Sequence, residues 1–285
     1  MCVVQVRLLG DGLRVEDDTP QERAASVLAD LARLGESVEE IVASGGVKPL
    51  VSMLSAASTK AQTSAAGALW HLSSLAENRE EIVRADGIKR LVQILEAGAV
   101  DAQRHAAAAL WQLSNSADSK ALIVAAGGIT HLVAVLAHLG AKADLAQESA
   151  AAVLSELART NHAYKAQVVE AGGVPPLVAA LDSSSAGAQK HAASALWALT
   201  QGPSCAEYKQ QLLQAAVAAP LVRLLDKNAA AESQGYAVAI MRMLAHEPSG
   251  QRALVSLILI LTLAHEPRGQ RVATVTPSPS PDANP

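Results

Sequence analysis

Apolar positions along this chain form a helical stripe that returns every 41 to 44 residues. The stripe is clearest between Ala102 and Asn115, where Ala106, Ala109, Leu110 and Leu113 fall at i, i+3, i+4 and i+7. Ala106 to Ala109 are strong helix formers, and no Gly or Pro interrupts them. With Leu110 as the index, the same place is held by Leu28, Leu69, Leu154, Leu196 and Ile240, at steps of 41, 41, 44, 42 and 44 residues. Three positions before each stands an alanine: Ala25, Ala66, Ala107, Ala151, Ala193 and Ala237. Helix propensity alone would not demand that fixed register. A small residue at one register lets a neighbouring helix approach closely. A period of this length marks stacked two- or three-helix units sharing one continuous core.

The stretches between these helices have their own recurring order. Short first helices are predicted at Val38–Ala43, Arg79–Ala85, Lys120–Ala125, Tyr164–Ala171 and Tyr208–Ala215. The first four end in Gly45-Gly46, Gly87, Gly127-Gly128 and Gly172-Gly173, which suits a left-handed helix terminus and a sharp turn. Second helices follow, anchored by Leu50, Leu91, Leu132, Leu177 and Leu221, with Pro49, Pro175-Pro176 and Pro220 near their first turns. Anchor and index lie 19 residues apart in four units, but 22 apart from Leu132 to Leu154, so an insertion is expected around Leu139 to Asp144. The run Ala215 to Ala219 has no glycine, which predicts a less sharp or more helical turn there.

The expected architecture is an all-α, right-handed α-solenoid of three-helix repeats. Its divisions are 1–36 (partial repeat), 37–76, 77–117, 118–161 (with the insertion), 162–203, 204–247 and 248–273 (truncated repeat), making one solenoid over 20–270. Residues 274–285, rich in Pro and Ser, are expected to be a disordered tail. Two features single out the ends. Residues 1–19 resemble only the second helix of a unit, which reads as a fragment of a longer protein, with a natural cap as the alternative. Leu244 to Arg252 returns as Leu263 to Arg271, an offset of 19 and less than half the period. The last unit is therefore read as shortened, with end-to-end association of otherwise monomeric chains as one consequence.

Composition narrows the function. The chain has 285 residues, half of them hydrophobic, with no Phe, three Trp and three Tyr. Its core must rest on Ala, Leu and Val. A net charge of −4 disfavours a nucleic-acid partner held by bulk electrostatics. Two distant cysteines, Cys2 and Cys205, make neither a disulfide framework nor a zinc site and fit a reducing compartment. The most apolar run, Ala253 to Ala264, has twelve residues where a membrane span needs about 20. No nucleophile–base–acid arrangement, phosphate loop or metal-ligand spacing emerges, so no enzyme, no cofactor, no metal and no small-molecule substrate are expected. His105 and His191 share a register but are separated by a whole unit, too far for a zinc pair. His71 and His246 read as lone surface residues.

Two stretches carry a family resemblance. Gly45-Gly-Val-Lys-Pro-Leu-Val51 with Ala65-Ala-Gly-Ala-Leu-Trp-His-Leu-Ser73, and Gly172-Gly-Val-Pro-Pro-Leu-Val178 with Ala192-Ala-Ser-Ala-Leu-Trp-Ala-Leu-Thr200, resemble the armadillo repeat. HEAT repeats, the nearest alternative, lack this Gly-Gly hinge. The resemblance implies a superhelix whose third helices line a concave groove for extended peptides or partner proteins. Importin-α, β-catenin, the yeast vacuolar adaptor and plant U-box ubiquitin ligases use that fold as a binding surface. Importin-α places a Trp and, four residues on, an Asn in successive third helices. Here only Trp111/Asn115 matches; the other positions are Trp70/Ser74, Ser155/Arg159, Trp197/Gln201, Ala29/Arg33 and Met241/Ala245. Seven residues before the Trp position stand Glu22, Thr63, Arg104, Glu148, Lys190 and Gln234, a mixed set. The vacuolar adaptor's lipidation would need Gly at position two, where Cys2 stands.

The resulting expectation is a non-catalytic scaffold in the cytoplasm, with nuclear access, holding a protein or extended peptide in the groove. Its candidate contacts are Trp70, Ser74, Arg104, Trp111, Asn115, Ser155, Arg159, Lys190, Trp197 and Gln201. Two narrower readings stand beside it: the substrate-recognition half of a ubiquitin ligase, and an importin-α-like nuclear-import adaptor.

Overall fold

A computed structural model describes residues 18–35, 38–56, 58–138, 144–202, 205–225, 229–252 and 254–255. The partial repeat before residue 18, the insertion at 139–143, most of the shortened last repeat and the tail lie outside the described residues. So does most of the apolar run after Leu254.

Among the described residues, helix α1 (Asp18–Leu34) is followed by five triplets. The first is α2 (Val38–Ala43), α3 (Val47–Met53) and α4 (Thr59–Leu72). The second is α5 (Ala76–Arg84), α6 (Gly87–Ala97) and α7 (Val100–Leu113), and the third is α8 (Ala117–Ala125), α9 (Gly128–His138) and α10 (Asp144–Thr160). Then come α11 (His162–Glu170), α12 (Val174–Ala180) and α13 (Ala186–Leu199), and finally α14 (Cys205–Gln214), α15 (Ala218–Arg223) and α16 (Ala231–Ala245). No strand occurs among the described residues.

The third helices pack each on the next in the order α1, α4, α7, α10, α13, α16, while α6, α9 and α12 form a parallel row of second helices. This is an all-α solenoid. Its core is the predicted stripe: Leu28, Leu69, Leu110, Leu154, Leu196 and Ile240 are all buried, as are the six alanines three positions before them. The second-helix anchors Leu50, Leu91, Leu132, Leu177 and Leu221 are buried against them. Every unit thus needs its neighbours to cover its apolar faces.

The first helices from α5 onward begin three residues or so earlier than the apolar pattern predicts. Side-chain caps explain two of these starts. The Ser116 hydroxyl accepts the Ser119 amide at 3.1 Å, and the Asn161 carbonyl accepts the Tyr164 amide at 2.9 Å. These polar residues start a helix before any apolar position marks it.

The hinge between first and second helices is tight. Helices α8 and α9 meet at 79° across Gly127 and Gly128. In the glycine pairs the first residue is left-handed, with φ of 73° at Gly45, 78° at Gly127 and 73° at Gly172. The second donates its N–H backwards: Gly46 to Ile41 O and Gly173 to Val168 O, both at 2.9 Å. The fifth hinge, expected to relax without glycine, does not. Ala216 takes the left-handed conformation at φ 54°, and Val217 donates to Leu212 O at a longer 3.3 Å.

Left-handed alanine costs roughly 1–2 kcal/mol, of which glycine's extra unfolded-state entropy recovers part. Ala216 is exposed and Gly45 and Gly172 have open space where a Cβ would lie, so nothing steric opposes the exchange. Ala216→Gly is expected to raise stability by about 0.5–1 kcal/mol in urea titration. A loss of stability would mean that the fifth hinge is not strained.

Candidate functional site

The third helices present one register of large rings on their outer face. Trp70, Trp111 and Trp197 follow the buried index residues Leu69, Leu110 and Leu196, so each starts at the core edge and ends half-buried. Each leans along the solenoid onto a ring from a later unit. Trp70 of α4 stacks on His105 of α7 at 5.7 Å between centroids, and on His71 at 4.5 Å. Trp197 of α13 meets Tyr236 of α16 at 5.9 Å.

Trp111 of α7 reaches farther, meeting His191 of α13 edge-on at 5.2 Å, although α10 stands between those helices. Rings two units apart can touch only where the face curves inward. The intervening helix makes room with small side chains. At the places where α7 has His105 and Trp111, α10 has Ser149 and Ser155.

The ladder also explains a glycine in mid-helix. A Cβ on Gly67 would lie 3.2 Å from His105 Nδ1. That nitrogen is 3.3 Å from the Thr63 carbonyl oxygen, which can only accept, so Nδ1 carries the proton. His71, expected on the surface as a lone residue, is half-buried against Trp70.

Burial holds the imidazoles of His71, His105 and His191 below the ordinary histidine range. Repulsion from His105 and Arg33 adds to the effect at His71. Arg104 adds to it at His105, against Asp101 and the Thr63 bond, and Lys190 adds to it at His191, against Glu148, Glu156 and Glu232. At neutral pH the ladder is therefore an uncharged aromatic strip.

A folded-state pKa below the unfolded value means that the unfolded chain binds more protons between the two. Stability is then full above about pH 6.5 and falls as acid takes the pH through and below that value. The urea midpoint is expected to fall between pH 7 and pH 5. It should fall less in the His105→Gln/His191→Gln variant, and equal slopes in both proteins would contradict the assignment.

The polar candidates separate into groups. Arg104 pairs with Asp101 at 2.9 Å, and Lys190 of α13 pairs with Glu232 of α16. Asn115 is exposed, its amide donating to the Gln112 carbonyl at 3.1 Å. Ser74 is exposed and donates to the His71 carbonyl at 2.8 Å. Gln201 is half-buried and donates to the Thr200 hydroxyl at 3.1 Å. Arg159 is exposed, with no ion-pair partner among the described residues.

Ser155 does not belong with them. It is 2% exposed, and its hydroxyl donates to that of Ser194 on α13 at 2.9 Å. A serine is small enough to be drawn between the helices at a register where tryptophan must stay at the edge. Ser155 is a packing contact, and the expected groove contact at that position is corrected accordingly.

One feature escaped the sequence reading. Arg79, Lys120, Lys165 and Lys209 hold the same place in successive first helices, three before the buried Ile82, Ile123, Val168 and Leu212. Each reaches the C-terminal end of a third helix. Arg79 donates to the Ser73 and Ser74 carbonyls at 2.8 and 3.1 Å, and Lys165 to the Gln201 carbonyl at 2.8 Å. Lys120 reaches Glu156 at 3.2 Å, and Lys209 reaches Glu247 at 3.5 Å. Cations suit these helix ends, where carbonyls lack partners. The four-fold register was visible in the chain, but it sits among other charges that serve only solvation.

The described residues hold no group of three or more His, Cys, Asp or Glu placed to share a metal ion. No single helix among them is long and apolar enough to cross a membrane.

Known proteins place this geometry. The armadillo/beta-catenin-like repeat profile matches residues 36–74, 76–115 and 161–200. Among curated proteins, none shows significant similarity. Among solved structures, an engineered protein is similar at 31% identity with a TM-score of 0.70, over 84% of this chain and 96% of that one. Computationally designed armadillo repeat proteins for modular peptide recognition are similar at 24% identity, with a TM-score of 0.72, over 84% and 99%. A designed armadillo repeat protein in complex with the peptide (KR)4 is similar at 23% identity, with a TM-score of 0.68, over 84% and 98%. With the period, the glycine hinges and the row of third helices, these likenesses show that the chain belongs to the armadillo-repeat family.

Proposed function

We propose that this chain is a non-catalytic scaffold that takes an extended peptide or partner segment along the face lined by its third helices. The observation that carries the reading is the Trp70, Trp111 and Trp197 ladder. Large rings left half-buried at one register of a curved face are what peptide anchors require, since aromatic residues supply much of the energy of protein interfaces. The armadillo fold supports a protein-binding role, and a designed armadillo repeat protein of similar fold carries a peptide.

Charges of both signs stand on these third helices: Arg104 is paired with Asp101 and Lys190 with Glu232, Glu148 and Glu156 share α10 with Arg159, and the ladder between them is neutral. In the nuclear-import reading the same face would hold a basic segment. In the ubiquitin-ligase reading the same face would select substrates. We place the activity in the cytoplasm, with nuclear access.

Affinity capture with the wild type and with Trp111→Ala/Trp197→Ala tests the reading, followed by titration of each captured partner. The double variant is expected to bind at least about tenfold more weakly, since anchor truncation costs more than about 1–2 kcal/mol. Partners retained at equal affinity would move binding off this face.

A further inference from the structure

The ladder has a candidate occupant within the chain itself. We infer that the proline-rich segment Thr274–Pro285 docks along the aromatic ladder from Tyr236 and Trp197 towards Trp111, occupying the face until a partner displaces it. This rests on the reading of that face as a peptide surface.

The first support is chemical. The segment reads Thr-Val-Thr-Pro-Ser-Pro-Ser-Pro-Asp-Ala-Asn-Pro, with Pro277, Pro279, Pro281 and Pro285 in twelve residues. Such a sequence favours the polyproline II conformation, which loses little entropy on binding and is recognised by grooves lined with aromatic rings. The ladder is such a surface, with its imidazoles held neutral by burial.

The second support is dimensional. Polyproline II advances about 9 Å per three-residue turn, close to the roughly 8–10 Å between packed helices. Pro279 and Pro285 are six residues apart and so share a face two turns apart. Twelve residues span about 37 Å, enough to cover the roughly 24–30 Å from α16 to α7. The last described residue, Val255, follows the end of α16, the helix that carries Tyr236, by ten residues, and 18 residues separate it from Thr274.

The third support is charge. Asp282 is the segment's only charged side chain. With about 25 Å of polyproline II before it, it falls at the far end of the path, between α10, whose Arg159 is exposed, and α7.

All three tryptophans of the chain stand on the ladder, so intrinsic fluorescence reads this face and no other. The experiment compares the full chain, a chain ending at Ala273, and the full-length Pro277→Ala/Pro279→Ala/Pro281→Ala variant. Circular dichroism serves as the control for fold. A synthetic 274–285 peptide is titrated into each, with acrylamide quenching of tryptophan as readout.

A tethered segment has an effective concentration on the order of 1 mM, so an attached tail should compete with the free peptide. The expected result is saturable binding about tenfold tighter to the shortened chain than to the full chain, with the triple variant resembling the shortened one. Equal affinity for all three, or no binding, overturns the inference. If an unrelated proline-rich peptide or a Lys-Arg peptide protects the tryptophans while the 274–285 peptide does not, the face still binds peptides and only the tail assignment falls. If no peptide protects them, both fall.

Discussion

Leu110→Ala is expected to cost about 3–5 kcal/mol and to divide the solenoid at its middle. Leu110 is fully buried on α7, the helix that packs against both α4 and α10. Removing its branched end leaves a cavity in a core where Ala106 and Ala107, one turn before it, are as deeply buried. Such short side chains cannot swing in to fill the space, and the cost falls within the range for buried leucine truncation. The consequence extends beyond that cost. A stack in which units touch only their neighbours is stable as a sum of unit and interface terms. Weakening α7 damages two interfaces at once and lets the flanking parts unfold separately. Urea unfolding should change from one transition to two, with amide exchange fastest in α4, α7 and α10 and slower in α13. The matching Leu28→Ala change on α1 should leave the rest of the array cooperative. A single transition with a loss under about 1 kcal/mol would show that the core at Leu110 closes on itself.

That core was legible because it is periodic. One index residue, one alanine three before it and one anchor in the second helix recur, and each copy reinforces the others. The Trp70, Trp111 and Trp197 register was visible for the same reason. What escaped is relational. Trp111 pairs with His191 because α10 substitutes small residues between them, a fact about three helices that no single repeat contains. The expected groove contact at Ser155 failed in the same way, since register was read as position while burial depends on side-chain size. Ala216 shows the converse: a residue without glycine's freedom still takes the left-handed turn found at this place in the other units. The early starts of α8 and α11 were missed because Ser116 and Asn161 act as caps through single hydrogen bonds, which leave no apolar pattern.

Ser155→Trp is expected to destabilise the protein by about 2–3 kcal/mol, although it brings the unit into line with its neighbours. Three of the six third helices carry Trp at this register, so averaging over repeats would favour the change. The structure argues otherwise on two grounds. First, the Ser155 side chain is buried and bonded to Ser194, so an indole would break that bond and leave the Ser194 hydroxyl buried without it. Second, the space above α10 is spanned by the contact between Trp111 and His191, and a third large ring must displace one of them. Displacement exposes His191 to water and relieves the burial that holds its pKa down. Two readouts should therefore move together: a lower urea midpoint, and a His191 ring whose protonation in an NMR titration rises toward the ordinary histidine range. Ser155→Ala separates the terms, removing the hydroxyl while leaving room for the rings. It should cost about 1 kcal/mol and leave the His191 titration in place. If Ser155→Trp matches the wild type in stability and His191 titrates unchanged, the indole has found open space above α10. The bridge from Trp111 to His191 would then not be what closes that part of the face.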